Sequence, residues 1–389
     1  MNPPEDAGFQ TTGQVLEAAL LANPDDRATH AAYADWLIEQ GDSRGEFIAV
    51  QLALEEEGRS AEERQHLQKR EKELLEQQGR GWLGNLAEYL LDQRDGGYQH
   101  RFARGWLAAL EIPELTVGFG RLLVLAAQTR FLRSLSIGTA AYEEDNYEPG
   151  DDVPDDAPFP GLFALRRSPY LGNVRVFQLG GSDSGEDLNC HTNGGTAAEL
   201  VKMMPLLEEV YLLAHRVDTQ TLFSLPLPHL RILQVYHSHD YPLELLAGNS
   251  SLSRLEQLLF HPHAVEYGDE PSITLAGAQA LVRSPHLRNL THLQLRISNM
   301  GDRGCEVIVQ SGILRRLKVL DLRHGIITDQ GARILAASPD LRHLERLDLS
   351  GNALTRAGMA ALITTGVRVD ASNQHSVDDE EYMFEGDIE

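Results

Sequence analysis

Two short histidine pairs, His237-Ser-His239 and His261-Pro-His263, are the residues of this chain whose type and spacing come nearest to chemistry. Each pair follows a hydrophobic strand-like segment, so neighbouring strand ends would bring four imidazoles together. Imidazole nitrogen is a common zinc ligand, and a zinc ion with an open position would make a hydrolase. A structural role competes with this. His263 falls three residues after Phe260, the place that Asn352 takes after Leu349 and that His215 takes after Leu212. A side chain there is expected to turn inward and bond loop backbone. We therefore expect these histidines to stand in for asparagine, with no metal and no cofactor. A metal-dependent enzyme built on His237, His239, His261 and His263 is the lesser alternative.

Other catalytic signatures are missing or misplaced. Gly79-Arg-Gly81-Trp-Leu-Gly84 matches G-x-G-x-x-G, but it follows a charged helical stretch and lacks the preceding strand of a dinucleotide site. No Walker A loop, H-E-x-x-H, G-x-S-x-G or C-x-x-C occurs. The oxygen-rich stretch from Gly180 to Asn189 lacks the spacing and final Glu of a calcium loop. The expectation is a protein that binds and does not catalyse.

The elements that must position these residues repeat. Leu287-Arg-Asn-Leu290-Thr-His-Leu293-Gln-Leu295 recurs 27 residues later as Leu314 to Leu322, and again as Leu341 to Leu349. Each copy runs into a glycine-containing amphipathic stretch, at Gly304, Gly331 and Gly358. A fixed period of this size means a solenoid, and L-x-x-L-x-x-L-x-L resembles the leucine-rich repeat. With a real helix in each unit, the ribonuclease-inhibitor class is the better likeness. That resemblance implies an α/β horseshoe with a parallel concave sheet and convex helices, and it implies binding of proteins on the concave face.

Looser copies precede these, at Leu252–Phe260, Leu227–Val235, Met204–Leu212, Leu171–Leu179 and Thr129–Ile137. Leu107-x-x-Leu110-x-Ile112 reads as the first strand and Val367-Arg-Val369 as the last, giving about eight units plus a terminal strand. The 35 residues between Leu252 and Leu287 fit an insertion near Ala264–Pro271, because Ile273-Thr274 then matches Ile327-Thr328.

Alternation along each L-x-L strand sends the intervening residues to the open face. The middle units place Tyr211, Leu213, Ile232, Gln234, Tyr236, Leu259 and His261 there, and the later ones Arg296, Arg323 and Arg346 interleaved with Asp321 and Asp348. Large apolar side chains on an open surface of a soluble protein indicate a partner. These ten (the seven and the three arginines) are the candidate contact residues.

The first hundred residues differ. Thr12–Ala22 reads as a helix, and Asn23-Pro24-Asp25-Asp26 as a break that caps the next. Ala32, Tyr33, Trp36 and Leu37 form an apolar stripe, Gly41-Asp42 a stop, and Phe47 to Leu54 begins a third helix that runs on through Gln78. Asn23-Pro24-Asp25-Asp26, Tyr33-Ala34-Asp35-Trp36-Leu37 and Gly41-Asp42-Ser43-Arg44-Gly45-Glu46-Phe47-Ile48 closely resemble the bacterial repeat-companion domain, a module found ahead of repeats. The resemblance implies a small all-α unit and little about function, since the family has no established activity or ligand. Arg27-Ala-Thr-His-Ala-Ala departs from it, where relatives carry an Arg-Leu pair before the Tyr. Asp35, Arg44 and Glu46 are read as an ion pair steadying a turn. The resulting division is a helical unit and linker at 1–98, a solenoid at 99–373 with an insertion at 140–160, and a tail at 374–389.

Charge bounds the partner. The 389 residues carry a formal net charge of −24. Glu143 to Asp156 has eight acids and Asp378 to Glu389 has seven, with no Lys or Arg in either, so together they supply 15 of that excess. Both read as solvated segments. A phosphate backbone would be repelled, which argues against nucleic acid; a protein with a basic surface fits better. The start is neither basic nor apolar and no long apolar run exists, so neither a membrane span nor a secretory signal is expected. Cys190 and Cys305 lie about four units apart and are not expected to pair, which suits the cytoplasm. The function expected is a non-enzymatic interaction module. The alternative is an inhibitor or sensor subunit paired with a separate effector in a bacterial conflict or signalling system.

Overall fold

A computed structural model describes residues 11–92, 97–140, 160–181, 190, 192–263 and 272–376. The acidic stretch 143–156, the stretch 182–189, the insertion at 264–271 and the acids of 378–389 lie outside the described residues.

Four helices come first: α1 Thr12–Ala22, α2 Arg27–Glu39, α3 Ser43–Leu54 and α4 Ala61–Leu83. Each starts where a side chain satisfies otherwise unpaired helical N–H groups. Thr11 with Gln14, and Ser60 with Glu63, form reciprocal capping boxes, while Asp26 and Asp42 cap α2 and α3. The third helix does not run on through Gln78. Gly58, at φ +87°, falls in a break after Leu54, and Ser60 restarts the chain as α4. On α2 the buried stripe is Tyr33, Ala34 and Leu37 with Trp36 half-buried; Ala32 is exposed, because the stripe is rotated by one position. Asp35, Arg44 and Glu46 do not share one ion pair. Glu46 accepts from Arg70 on α4 at 2.7 Å, Arg44 lies over the rings of Trp82 and Trp106, and Asp35 faces solvent.

Among the described residues one eleven-stranded sheet follows, its strands in chain order. It opens with a hairpin: β1 Gln99–Ala103 pairs antiparallel with β2 Trp106–Leu115. Arg104 and Gly105 both have positive φ, which the tight turn requires. A Cβ at Gly105 would come within 2.2 Å of Ile48, so glycine lets α3 dock on the turn. Gln51 locks that contact, accepting from Gly105 N at 2.7 Å and donating to Phe102 O at 3.2 Å. Phe47, Val50, Leu74 and Trp82 consequently join the same apolar core as the repeat leucines.

The other strands pair parallel: β3 Ser134–Ala140, β4 Val176–Leu179, β5 Glu209–Leu213, β6 Ile232–Tyr236, β7 Gln257–His261, β8 His292–Leu295, β9 Val319–Asp321, β10 Arg346–Asp348 and β11 Arg368–Asp370. The regular repeats behave as the period demands. Leu293, Leu295, Leu320, Leu322, Leu347 and Leu349 are fully buried, and Leu293, Leu320 and Leu347 are in register. Helices return along the other side, including Gly301–Ser311, Asp329–Ala337 and Arg356–Ile363. In the shorter middle units the return helix shrinks to six residues, at Thr219–Ser224 and Leu243–Gly248.

Carboxylates tie successive regular units together. Asp302 Oδ1 accepts from Thr328 N at 2.9 Å and Gly331 N at 2.8 Å, and 27 residues on Asp329 Oδ1 accepts from Thr355 N at 2.8 Å and Gly358 N at 3.0 Å. The repeat glycines make room for this: a Cβ at Gly331 or Gly358 would lie 2.5 or 2.3 Å from the capping oxygen.

Candidate functional site

The open sheet face is built by strand alternation. Burial along β6 alternates from half-buried Ile232 through buried Leu233 to half-buried Tyr236, so Ile232, Gln234 and Tyr236 look outward. Parallel register turns these into rows that cross the sheet. One row runs Tyr211, Gln234, Leu259, Gln294, Asp321, Asp348; another runs Leu213, Tyr236, His261. Tyr211, Ile232, Gln234, Tyr236 and Leu259 are half-buried on adjacent strands and form one apolar patch with polar tips. Tyr211 donates to Glu209 at 2.9 Å, and burial together with that carboxylate pushes its phenol up to about 12.

Leu213 is not part of the exposed surface, contrary to expectation: it is only 6% exposed. Gly180 and Cys190 pack against this strand end: a Cβ at Gly180 would come within 1.9 Å of Leu213 O, and the Cys190 thiol lies 3.3 Å from the same carbonyl oxygen. His261 is buried as well, at 4%. Its ring lies 5.4 Å from that of Tyr236, and its Nδ1 accepts from Arg296 at 3.1 Å. Burial, reinforced by the Arg296 charge, holds this imidazole well below its ordinary range, so it is neutral.

The arginine half of the face is a hydrogen-bonded chain. Arg296 reaches Asp321 at 3.0 Å, Arg323 reaches Asp321 at 2.9 Å and Asp348 at 3.6 Å, and Arg346 reaches Asp348 at 2.7 Å. Asp321 and Asp348 are register partners on adjacent strands, an arrangement that repels unless cations intervene. Even so, burial pushes the Asp321 carboxyl up to about 6, against the opposing pull of Arg296. Tyr236 joins the chain by accepting from Gln294 at 2.9 Å and lying beneath the Arg296 guanidinium. Of the expected arginines, Arg323 and Arg346 reach solvent, while Arg296 serves as an internal brace.

The histidines regroup. His261 belongs to the open face, whereas His215, His239 and His263 converge beyond the ends of β5, β6 and β7. Ring centroids lie 4.5 Å apart for His239 and His263, 5.3 Å for His215 and His263, and 6.1 Å for His215 and His239. The asparagine-like role belongs to Asn352, which is fully buried, accepts from Gly325 N and Ile327 N at 2.9 Å and donates to Leu322 O. His215 contacts backbone similarly, with Nε2 3.1 Å from Cys190 O. The sequence reading grouped His261 with the others and left His215 and Cys190 out. The signal was available, since His215 and His263 occupy the same repeat position.

The glycine motif lies at the wrong pole for phosphate. Gly79 and Gly81 are in the last turns of α4 and Gly84 ends it, so carbonyl oxygens point out where amides would be needed. A cleft beside it is lined by Arg80, Gly84, Glu88 and Tyr89, with Arg80 ion-paired to Asp92.

Residues 286–309 and 340–362 match the family model described as Leucine Rich repeat. No curated protein matches the sequence. Among solved structures the chain is similar to a Bacteroides fragilis protein, at 20% identity and a TM-score of 0.48, covering 66% of this chain and 70% of that one. It is also similar to an internalin from Listeria monocytogenes, at 13% identity and a TM-score of 0.27, covering 69% and 87%. The matched residues are leucine-rich repeats, and the buried L-x-L pairs in register across the parallel sheet give the chain a leucine-rich repeat solenoid fold.

Proposed function

We propose that this chain is a non-enzymatic protein-interaction module that binds a protein partner on the open face of β5–β10. The observation that carries this is the patch of Tyr211, Ile232, Tyr236 and Leu259, half-exposed on three adjacent strands. A rigid sheet holds these side chains without further ordering cost, and tyrosine is a favoured interface anchor. Arg323 and Arg346 extend the surface with donors already oriented by Asp321 and Asp348. Leu213, His261 and Arg296 brace the patch from its edge.

A partner with a basic surface suits a chain of net charge −24, most of whose excess sits in the two acidic segments. Nucleic acid and membrane surfaces do not fit that charge. Among the described residues no helix is long and apolar enough to cross a membrane. We place the protein in the cytoplasm: Cys190 and Cys305 are both buried and not disulfide-bonded. The helices α1–α4 act as the N-terminal cap of the solenoid, covering an end that would otherwise expose the core. Asp25 of that cap is 2.8 Å from Arg133 and also pairs with Arg175, across the first repeats.

Affinity capture from the native cell tests the reading, comparing wild type with a Tyr211→Ala/Tyr236→Ala variant. A partner recovered by the first and lost by the second supports it. Equal recovery removes the open face as the binding surface.

A further inference from the structure

We propose that His215, His239 and His263 form a site for one zinc ion, bridging three consecutive repeats at the end of the sheet. The three side chains each offer a nitrogen, and these nitrogens all lie within 4.8 Å of one another. A tetrahedral zinc with bonds of about 2.0–2.1 Å would hold them about 3.3 Å apart, a closure that small ring rotations supply. The ring centroids lie 4.5, 5.3 and 6.1 Å apart, with interplanar angles of 32°, 59° and 28°, so the three imidazoles crowd one corner of the sheet end.

His215 is already oriented for this role. A carbonyl oxygen only accepts, so the 3.1 Å contact with Cys190 O puts the proton on Nε2, and Nδ1 is the ring nitrogen that would ligate the metal. A backbone carbonyl on the second ring nitrogen is the usual outer partner of a ligating histidine. The ligand set holds nitrogen and no carboxylate, which suits zinc and disfavours magnesium or calcium. His239 is exposed and His215 and His263 are half-buried, so a fourth position faces solvent.

A second grouping, Cys190 with His215 and His237, competes for the same histidine. It is the poorer site. The Cys190 sulfur lies 3.3 Å from Leu213 O and 3.6 Å from Thr192 O, where a protonated thiol donates and a thiolate would be repelled.

Zinc titration of the chelator-treated full chain, read by calorimetry and by metal content after gel filtration, tests the proposal. One zinc per chain is expected, with no heat from magnesium and a rise in melting temperature on zinc addition. His239→Ala, at an exposed position, should weaken zinc binding beyond the ~10–100-fold typical of losing an outer partner. His263→Ala should do the same, and Cys190→Ser should retain the ion. Absence of zinc binding by the wild type, or full binding by His239→Ala, overturns the proposal. So does loss of zinc in Cys190→Ser with a thiolate-to-metal band in the cobalt-loaded wild type, because it moves the ion to the buried group.

Discussion

Arg296 and Asp321 meet at 3.0 Å on neighbouring strand ends, with side chains only 12% and 8% exposed. Removing one member of so enclosed a pair strands the other, whose desolvation is then uncompensated. The Asp321 carboxyl, raised by burial to about 6, contributes stability that is fully present below its unfolded pKa of 3.8 and lost as pH rises through about 6. Arg296→Met removes the strongest charge holding it down, so its midpoint should move higher. Carboxyl-carbon NMR of Asp-labelled protein, assigned with Asp321→Asn, reads both values. A wild-type midpoint near 4 would contradict this account of the face.

Leu320 has no exposed surface and stands between Leu293 and Leu347 in register. Leu320→Asp should unfold the C-terminal units, because burying an unpaired charge costs several kcal/mol. A melting curve identical to wild type would refute the repeat register.

The Asp329 cap carries a different prediction. Asp329→Ala strips acceptors from Thr355 N, Thr355 Oγ1 and Gly358 N, and should cost about 1 kcal/mol or more. Hydrogen bonding from Thr355 holds the carboxyl below its ordinary value. Its contribution is therefore present above pH 3.8 and lost as pH falls through the lower folded value. Denaturant melts at pH 7 and pH 3 should show the variant losing most at pH 7. An equal loss at both would show that charge does not matter there.

The leucine ladder was legible because period 27 and L-x-L spacing are set by burial of the same positions in every unit. The hairpin strand Gln99–Ala103 was not, since it pairs antiparallel and carries no leucine pair; Arg104-Gly105 was its trace. The break before Ser60 was hidden by helix-favouring glutamates, although Gly58 and the Ser60/Glu63 cap mark it. On the open face, alternation placed Tyr211, Ile232, Tyr236 and Leu259 correctly on adjacent strands. It missed Leu213 because Gly180 and Cys190, which pack against this strand end, lie in a connection that the repeat template does not describe. The histidine grouping required knowing which side of the sheet end each ring takes. Alternation decides that for His261 within β7 and stops at the strand's end, where His239 and His263 begin.

The most direct measurement is the dissociation constant of the captured partner for three forms of the full chain. Tyr211→Ala/Tyr236→Ala should weaken binding roughly a thousandfold, at about 2 kcal/mol per anchor tyrosine, with the melting temperature little changed. Ile363→Ser, at an exposed position on the return helix Arg356–Ile363, should bind like wild type. An unchanged constant for the tyrosine variant, or a loss confined to Ile363→Ser, would contradict binding on the open sheet face.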